Sequence, residues 1–382
     1  MDEKKKVGYE WWLGLGAPTK IVAPMVDASE LAFRQLTRKH GAELVYTQMF
    51  NSNVFVRDYT YREENFETCP GDRPLIVQFC GNDPETLLAA AKMVEDQCDA
   101  VDINLGCPQG IARRGHYGAF LMEELDLLHE LVSTLAKGLK VPVTCKTRIY
   151  KDFDRSLRLC ETLVNAGASM ITIHGRTREE KGQLVKAADW ETIRRIKEHF
   201  RGRVPVIANG GIESLQDYRR CLIETGCDGV MSSEGILENP SIFDESHILP
   251  TQIEMAYEYL EQCHAHPVLH YRTIRSHLQR ILYRFSSIHT ELRDKIGFAR
   301  ELDEFSAIVD ECRHTSLLPE NSHINYDAET WYKRHRNPAN VHSGSMNAKI
   351  AMDTNKNGLL YYSCSDCNDT EDDDPLGFSI FG

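Results

Sequence analysis

The chain of 382 residues is long enough for one large domain and a smaller one. Its hydrophobic content of 42% and charged content of 26% are ordinary for a soluble globular protein. The net charge of −13 excludes indiscriminate binding to nucleic acid or to an anionic membrane, but it is compatible with a local basic groove. Twelve scattered cysteines without framework spacing favour reduced thiols in a cytosolic or nuclear compartment.

The N-terminus and the hydropathy pattern indicate neither a targeting segment nor a membrane span. Residues 1–12, MDEKKKVGYEWW, are charged and lack the apolar core of a signal peptide. No uncharged apolar run approaches the ~18 residues that indicate a transmembrane helix. We therefore expect a cytoplasmic or nuclear protein with no membrane partner, and no obligate protein partner is predicted.

Eight short apolar runs recur between residue 20 and about residue 245. They are rich in β-branched residues and nearly continuous, which is typical of parallel strands buried on both faces. The runs are 21–25, 43–49, 74–79, 100–106, 141–148, 169–176, 204–211 and 227–233. Alternation with helical segments predicts an α/β fold of the (β/α)8 TIM-barrel type over residues 18–248. A doubly wound sheet is the weaker alternative, because no GxGxxG motif follows the first strand.

The segments between these runs have helical periodicity. In DPETLLAAAKMVEDQ, Asp83 is the predicted N-cap and Pro84 the first helical residue. The apolar residues that share one face are Leu87, Leu88, Ala91 and Val94.

The pattern changes after residue 248. Residues 249–311 contain no strand-like run and predict a small all-helical domain. One of its apolar faces consists of Leu278, Ile281, Leu282 and Phe285. Residues 312–382 have little periodicity and contain the run DTEDDDP, so we expect a weakly ordered acidic tail. A single CxxC in this tail, formed by Cys364 and Cys367, is only weakly indicative of zinc, and no metal site is predicted.

Polar and small residues end the predicted strands, where a barrel of this class carries its function. In chain order they are Pro24 and Met25, Gln78, Asn104 and Cys107, Lys146 and Arg148, His174 and Arg176, Asn209, Gly210 and Gly211, and Ser232 and Ser233. The last two loops, ANGGIES and MSSEGI, place backbone N–H groups where strands lead into helices. Such loops can hold a phosphate group, although tight turns are the structural alternative.

Lys146 at the end of a buried strand predicts an anionic or electron-rich ligand, because an uncompensated buried ammonium is costly. A salt bridge to Asp102 is the alternative, and His174 and Gln78 are also compatible with satisfied core positions. Together with the phosphate loops, these residue types fit flavin mononucleotide (FMN). Lys146 would stabilise charge on the reduced pyrimidine edge, Gln78 would bind the carbonyl and imide groups, and the chain near Met25 would lie under the ring.

Cys107 lies at the same end of the barrel. Gly106 and Pro108 predict a sharp turn that gives its side chain a defined direction. A free thiol has a pKa of about 8.5, so at neutral pH it is mostly protonated and can donate a proton or act as a nucleophile. A small hydrophobic residue in a turn is the structural alternative. Metal ligation has less support, since no second ligand lies at ligand spacing.

Several motifs resemble the tRNA-dihydrouridine synthases over roughly residues 18–310. They are APMVDASELAFRQL, VQFCGNDPE, INLGCPQ, KTRIY, IHGRTREEKG and ANGGI. The stretch CPQGIARRGHYGAFLMEE is similar to the eukaryotic branch of the family that acts on uridines 16 and 17 of the D-loop. NLGCPQ with downstream KTR and HGRT is a specific combination rather than a general barrel signature.

The resemblance implies an enzyme that uses FMN, reduced by NADPH, to reduce the C5–C6 double bond of uracils in tRNA. Hydride would pass from flavin N5 to C6, and Cys107 would protonate C5. The residues that match flavin-contacting positions are Pro24, Met25, Gln78, Lys146 and His174. Those that match the phosphate loops are Asn209, Gly211, Ser233 and Glu234, and those that match uracil-contacting positions are Asn104 and Arg148.

Two features bear on this reading. Glu234 stands where many family members have arginine, which is unfavourable beside a phosphate unless the side chain points away. Arg113 and Arg114 follow Cys107 closely and are predicted to meet tRNA phosphates. Four arginines of the helical region have a weaker prediction of the same kind, with a solvated face as the alternative: Arg272, Arg275, Arg280 and Arg284.

Two other functions remain open from the sequence. One is a tRNA-binding protein without catalysis, for which Glu234 is the only support. The other is an FMN barrel oxidoreductase that acts on a small pyrimidine. The helical region and the CPQGIARRG loop count against the second, and the retention of Cys107, Lys146 and His174 counts against the first.

Overall fold

The computed structural model describes residues 5–246 and 248–327. The predicted acidic tail and the Cys364–Cys367 pair lie outside these residues. Within them, the chain forms a barrel of parallel strands with helices between the strands, followed by a helical region. This architecture confirms the predicted fold class.

Each of the eight predicted runs overlaps a strand. The strands are β1 (Lys20–Val22), β2 (Val45–Asn51), β3 (Leu75–Cys80), β4 (Ala100–Leu105), β5 (Val143–Arg148), β6 (Met170–His174), β7 (Val206–Asn209) and β8 (Gly229–Ser232). All neighbours pair in parallel, in the order β1-β8-β7-β6-β5-β4-β3-β2. The ring closes between β1 and β2, where the Val22 N–H donates to the Leu44 carbonyl at 2.9 Å.

The helices enclose the barrel and continue beyond it. They are α1 (Gly8–Gly14), α2 (Leu31–Lys39), α3 (Ser52–Arg57), α4 (Tyr59–Asn65), α5 (Pro84–Lys92), α6 (Gly110–Arg114), α7 (Leu125–Gly138), α8 (Phe153–Ala166), α9 (Trp190–His199), α10 (Leu215–Thr225), α11 (Glu234–Glu238), α12 (Gln252–Ala265), α13 (Tyr271–Ile281), α14 (Tyr283–Ile288), α15 (Thr290–Phe298) and α16 (Leu302–Ser316). No helix in the described part of the chain is long and apolar enough to cross a membrane.

Helix α5 begins as its sequence predicts. The Asp83 carboxylate accepts a hydrogen bond from the Thr86 N–H at 2.8 Å, and Pro84 occupies the first helical position. The helix ends at Lys92, before the end of the periodic segment. The buried Glu95 accepts a hydrogen bond from the Lys140 N–H at 2.9 Å, which holds the following residues in a short 3₁₀ turn.

The parallel register sorts the inward-facing side chains of the barrel into levels. Alternate residues of a strand face the same way, so residues two apart along each strand fall in successive levels. From the middle of the barrel toward the carboxyl ends of the strands, the levels are Gln78–Asp102–Thr144, Asn104–Lys146–Thr172 and Arg148–His174–Asn209–Met231. The predicted site residues of five strands are therefore neighbours.

Helix α1, which the sequence analysis did not predict, packs against the opposite end of the barrel. Trp11 and Trp12 are buried in one cluster with inward-facing residues of the strands, such as Ile76 and Met170. The Trp11 indole N–H donates to the carbonyl of Asp99, directly before β4, at 3.1 Å. The amino-terminal end of the barrel is therefore filled by aromatic side chains.

The helical region packs against α2. The Tyr259 hydroxyl donates to one Glu30 oxygen at 2.8 Å, and His277 Nε2 lies 3.1 Å from the other. The predicted apolar face of Leu278, Ile281, Leu282 and Phe285 is fully buried, although α13 and α14 divide it between them. These residues belong to the same core cluster as the barrel, so the two regions share one core.

Candidate active site at the carboxyl ends of the strands

Residues 104–108, which comprise the last two residues of β4 and the turn after it, are called the thiol loop here because they carry Cys107. The Asn104 side-chain oxygen accepts hydrogen bonds from the backbone N–H groups of Gly106, at 3.1 Å, and of Cys107, at 2.9 Å. This arrangement turns the chain sharply after the strand. The predicted turn at Cys107 is confirmed, and the asparagine side chain is part of what forms it.

Three donors hold the carbonyl groups of the thiol loop. Arg148 Nε donates to the Gly106 carbonyl at 2.7 Å, and Lys181 Nζ donates to the Pro108 carbonyl at 2.8 Å. The Ala119 N–H donates to the Cys107 carbonyl at 2.9 Å. Gly118, with φ +65°, lies so close that an added Cβ would be 2.7 Å from the same Cys107 carbonyl oxygen. Hydrogen bonds to the carbonyl groups of Gly106, Cys107 and Pro108 therefore hold the backbone around the thiol in place.

The surroundings of Cys107 favour the protonated thiol. Cys107 is half-buried and packs against Cys80, Ala112 and Tyr117. Burial raises its pKa, against a smaller lowering by a backbone hydrogen bond and by nearby cations, Arg148 first among them. At neutral pH the side chain is thus a proton donor held close to positive charge, which would stabilise the thiolate once the proton has left.

Lys146 faces the barrel mouth without a partner, since no hydrogen bond or salt bridge joins it to any residue of 5–246 or 248–327. Burial, followed by the charge of Arg148, lowers the pKa of Lys146 to about 8. The alternative of a salt bridge to Asp102 is wrong, since no direct ion pair joins the two: that carboxylate is bound by Thr144 Oγ1 at 2.6 Å and by Gln78 Nε2 at 2.8 Å. From this distance the negative charge of Asp102 only partly opposes the lowering of the Lys146 pKa. Lys146 is therefore available to an anionic ligand.

His174 is a neutral imidazole in this site. Burial, followed by the charges of Arg148, Lys146 and Arg176, holds its pKa well below the ordinary value. Arg176 Nη1 lies 3.3 Å from His174 Nε2, and since an arginine can only donate, Nε2 must accept. The ring proton is therefore on Nδ1, which makes His174 a hydrogen-bond donor through that nitrogen.

Arg148 and Gln78 are bound more closely within the protein than the sequence suggests. Arg148 is 9% exposed, and besides Gly106 it donates to the Thr177 carbonyl at 3.0 Å. Burial, followed by the charge of Arg176, lowers its pKa to about 10, so it remains cationic at neutral pH. Gln78 is fully buried between Asp102 and Asn104. The contacts predicted for these two side chains with uracil and flavin stay predictions.

The loops after β7 and β8 form a small cavity, called the phosphate cradle here. Its lining residues are Arg176, Asn209, Gly210, Gly211, Ile212, Glu213, Met231, Ser233, Glu234 and Gly235. Gly210 has φ +105°, and an added Cβ would lie 2.9 Å from the His174 ring. At Gly235 an added Cβ would lie 2.4 Å from the Ile212 carbonyl oxygen, so only glycines allow the two loops to approach this closely.

The predicted phosphate-loop residues have different settings within the cradle. Asn209 Nδ2 donates to the Met231 carbonyl at 3.0 Å and so joins β7 to β8, whereas Ser233 and Glu234 lie at the start of α11. Glu234 is exposed and lines the cavity together with Arg176, so the positive charge comes from the loop after β6 rather than from the loop after β8.

Pro24 and Met25 follow β1 at the same mouth and are half-buried. The Met25 N–H donates to Ser29 Oγ at 2.9 Å, and the Met25 side chain packs against both the outer and the interior core clusters. The predicted position of this segment, beside the other site residues, is consistent with a surface for a planar ring.

Next to the mouth, a cavity of about 400 Å³ separates the loop after β1 from the helical region. It includes Asp27, which has φ +55° and whose N–H donates to Gln48 Oε1 at 3.0 Å. Burial raises the pKa of Asp27 to about 6. The sequence analysis did not single out Asp27, although an acidic residue just after the first strand was visible in the motif.

The predicted tRNA-contacting arginines fall into two groups. Arg113 and Arg114, on α6 beside the thiol loop, are exposed, and neither has an ion pair within the described residues. In the helical region, Arg272 is exposed, but Arg275 donates to the Ala299 carbonyl and Arg280 to the Ser276 carbonyl. The predicted arginine face is thus partly used to hold the helices.

Lys181 is the site residue that sequence reasoning missed most clearly. It lies 73 positions from Pro108, whose carbonyl it binds. Its motif, TREEKG, was part of the resemblance, but no local pattern separates this lysine from a solvated surface residue.

Comparison with known proteins identifies the family. Residues 21–325 match the family described as "Dihydrouridine synthase (Dus)". A mouse protein named tRNA-dihydrouridine(16/17) synthase (NAD(P)+)-like is 47% identical over 308 residues, which are 80% of this chain and 64% of the mouse protein. The chain thus spans less than two thirds of that relative's length.

Two yeast relatives are matched over more of their own length. The Saccharomyces cerevisiae tRNA-dihydrouridine(16/17) synthase (NAD(P)+) is 47% identical over 77% of this chain and 72% of its own. The Schizosaccharomyces pombe protein of the same name is 40% identical over 86% of both chains. With the cysteine loop, the cationic mouth and the phosphate cradle in one barrel, the chain belongs to the dihydrouridine synthase family.

Proposed function

We propose that this protein reduces the C5–C6 double bond of uridines 16 and 17 in the D-loop of tRNA to dihydrouridine, with bound FMN and with NADPH as the reductant. The observation that carries the proposal is the protonated Cys107 thiol on a backbone-bonded loop beside the partnerless Lys146. The names of the mouse and yeast relatives support the tRNA substrate and the nicotinamide reductant.

Three features of the site fit FMN. The phosphate cradle is a cavity that added Cβ atoms would fill, and Arg176 contributes positive charge to it. Lys146 has no hydrogen bond or direct ion pair among the described residues, and neutral His174 offers an N–H donor. The residues that would hold the cofactor are Pro24, Met25, Gln78, Lys146, His174, Asn209, Gly211, Ser233 and Glu234. FMN, when bound, would supply the hydride that uracil C6 receives.

Cys107 would supply the proton that C5 receives as C6 gains the hydride. The buried setting keeps this proton on sulfur until the base arrives, and the neighbouring cations lower the cost of the thiolate that is left. Sulfur then regains a proton from water before the next turnover. Asn104 and Arg148 hold the loop that carries the thiol, and in this proposal they also contact the uracil.

The substrate would be bound by local positive charge. Arg113 and Arg114 project from α6 directly after the thiol loop, where phosphates flanking the target nucleotide would lie. Because Cys107 is half-buried within the barrel mouth, the target base must leave the RNA stack to reach it. With a net charge of −13 on the chain, binding must depend on such patches and weaken as salt increases.

The test is a two-stage experiment with the purified protein. A flavin absorbance spectrum is expected, and anaerobic NADPH should bleach it. Addition of tRNA that lacks dihydrouridine should restore the oxidised spectrum and produce dihydrouridine at positions 16 and 17, which sequencing after chemical cleavage locates. A colourless protein that still binds tRNA would refute the enzyme. A reduced flavin that only free pyrimidines reoxidise would refute the tRNA substrate.

A further inference from the structure

A line of hydrogen bonds runs through the barrel from Asp102 to the thiol loop. Gln78 Nε2 donates to Asp102 Oδ2 at 2.8 Å, and Asn104 Nδ2 donates to Gln78 Oε1 at 2.8 Å. Asn104 Oδ1 then accepts from the backbone N–H groups of Gly106 and Cys107. We call the side chains of Asp102, Gln78 and Asn104 the relay.

The groups at the two ends of the relay require the same direction of hydrogen-bond donation along it. An ionised carboxylate can only accept, so Gln78 must present its nitrogen to Asp102 and its oxygen to Asn104. Backbone N–H groups can only donate, so Asn104 must present its oxygen to the loop and its nitrogen to Gln78. Reversal of either amide would place two donors or two acceptors face to face. The orientation of both amides is thus determined from both ends.

We propose that Asp102 is a positioning residue for Cys107: as the terminal acceptor of the relay, it holds Asn104 in the orientation that fixes the thiol loop. The relay consists of residues on neighbouring strands, since Gln78 pairs with Asp102 in the parallel register. The expected effect of the relay on catalysis rests on the proposed function, in which Cys107 is the proton donor. The expected effect of the relay on the reactivity of the Cys107 thiol does not depend on the proposed function.

The setting of Asp102 supports a role beyond packing. The carboxylate is fully buried, and no lysine, arginine or histidine of the described residues pairs with it within 4.0 Å. Burial raises its pKa to about 6, against smaller lowerings by the hydrogen bonds from Thr144 and Gln78 and by the charge of Lys146, so it is mostly ionised at neutral pH. Burying a carboxylate without a direct ion pair costs folding free energy, whereas a nonpolar side chain would fill the same space without that cost. Its second oxygen binds Thr144 Oγ1, which lies outside the relay.

Three variants separate the relay from general stability. Asp102→Leu removes the acceptor. Asp102→Asn keeps an oxygen for Gln78, because the Thr144 hydroxyl can accept from the new amide. Thr144→Val removes one hydrogen bond to the same carboxylate and leaves the relay complete. If the relay positions the thiol loop, Asp102→Leu should be the only one of the three variants that makes Cys107 more reactive.

The measurement is the rate at which iodoacetamide alkylates Cys107 at pH 8 in the full-length protein. Trypsin releases residues 93–113 as one peptide, in which fragmentation distinguishes Cys107 from the buried Cys98. Cys98 therefore reports unfolding in the same molecules. We expect Asp102→Leu to raise the Cys107 rate by about tenfold, the factor for one lost buried hydrogen bond, with Cys98 unchanged. Asp102→Asn and Thr144→Val should stay within about twofold of the wild-type rate.

Other results would overturn the proposal. A wild-type Cys107 rate in Asp102→Leu would mean that the relay does not hold the loop. A parallel rise at Cys98 in Asp102→Leu would mean that Cys107 becomes reactive through general loosening of the barrel and not through loss of the relay. An equal rise in Thr144→Val would mean a general effect of the carboxylate's environment. If Asp102→Asn matches Asp102→Leu, charge rather than hydrogen-bond direction would be responsible.

The turnover assay keeps this proposal separate from the proposed function. With tRNA as substrate, Asp102→Leu should lower kcat at unchanged KM for tRNA, because the loop and not the RNA-binding surface is affected. An inactive wild-type protein would refute the proposed function, while the alkylation rates would still decide whether Asp102 positions the thiol.

Discussion

Each end of this barrel carries a lysine, and the pKa values of the two lysines are shifted in opposite directions. At the amino-terminal end, Lys197 binds Asp228 at 2.5 Å and the Tyr9 hydroxyl at 2.8 Å. Burial opposes its charge, but these hydrogen bonds outweigh it and raise its pKa. At the carboxyl-terminal end, burial and Arg148 lower the pKa of Lys146 to about 8, and no described residue pairs with it.

The contrast between the two lysines indicates that the amino-terminal end contributes to stability and the carboxyl-terminal end to function. The amino-terminal end satisfies its charges internally and is filled by Trp11 and Trp12. The mouth instead places three like charges, Lys146, Arg148 and Arg176, around a neutral histidine. Groups with strongly shifted pKa values beside a cavity are typical of active sites. Substitutions at the two ends should therefore affect different measurements.

The largest expected effect is at the mouth. Cys107→Ala should lower the single-turnover rate of dihydrouridine formation by about 10²–10⁴-fold, the usual contribution of a positioned proton donor. FMN content and melting temperature should stay close to wild type. Cys80→Ala, which removes a neighbouring buried thiol outside the loop, is the matched control and should retain most activity. Equal losses in the two variants would contradict the assignment of Cys107.

The next effect is at the amino-terminal end. Asp228→Asn leaves Lys197 buried without its anion and should lower the free energy of unfolding by about 3 kcal/mol. Urea denaturation measures this change. The rate of flavin reoxidation by tRNA, measured under conditions where the variant is folded, should equal that of wild type. A selective loss of activity would show that the two ends are coupled.

Lys146→Met should have the opposite pattern to Asp228→Asn, with FMN binding affected and stability preserved. Removing a half-buried cation that has no hydrogen bond or direct ion pair among the described residues should leave the unfolding free energy of the FMN-free protein unchanged or raise it by about 1 kcal/mol. FMN affinity should fall by about tenfold, because a charge-assisted contact is lost. Destabilisation of the FMN-free protein would mean that Lys146 has an internal partner.

The pH dependence of the same variant gives a sharper test. The pKa of Lys146 is about 8 in the folded protein and is close to 10.4 in an unfolded chain. Between these values the unfolded state binds more protons, so the cost of Lys146 is full below pH 8 and shrinks as the pH rises toward 10. The stability difference between Lys146→Met and FMN-free wild type should therefore be largest near pH 7 and decline above pH 8.

The smallest effect concerns the exposed arginines. Arg113→Ala combined with Arg114→Ala should raise KM for tRNA severalfold at low salt and leave kcat nearly unchanged, because each removes one phosphate contact. The slope of log affinity against log salt should become shallower by about one to two units. Arg194→Ala, on the distant α9, serves as the control for loss of surface charge. Identical salt slopes in wild type and the double variant would exclude this contact surface.

Much of the fold was predictable because its signals are local. Nearly continuous β-branched runs indicated buried parallel strands, and Asp83 with Pro84 indicated where α5 begins. Strand-end residues could be nominated as a site because parallel strands in a closed barrel bring their carboxyl ends together. For Cys107, the flanking glycine and proline were sufficient to predict a turn.

Pairing within the site was not predictable, because it depends on register and on distant segments. The sequence allows Asp102 as a partner of Lys146, but the register sets Asp102 level with Gln78 and Thr144, and Lys146 one level higher beside Asn104. Local sequence thus determined the strands, the helix starts and the set of residues at the mouth. Only the tertiary structure decided which of them are paired and which remain open to a ligand, because a side chain's partner is set by strands and loops far away in the chain.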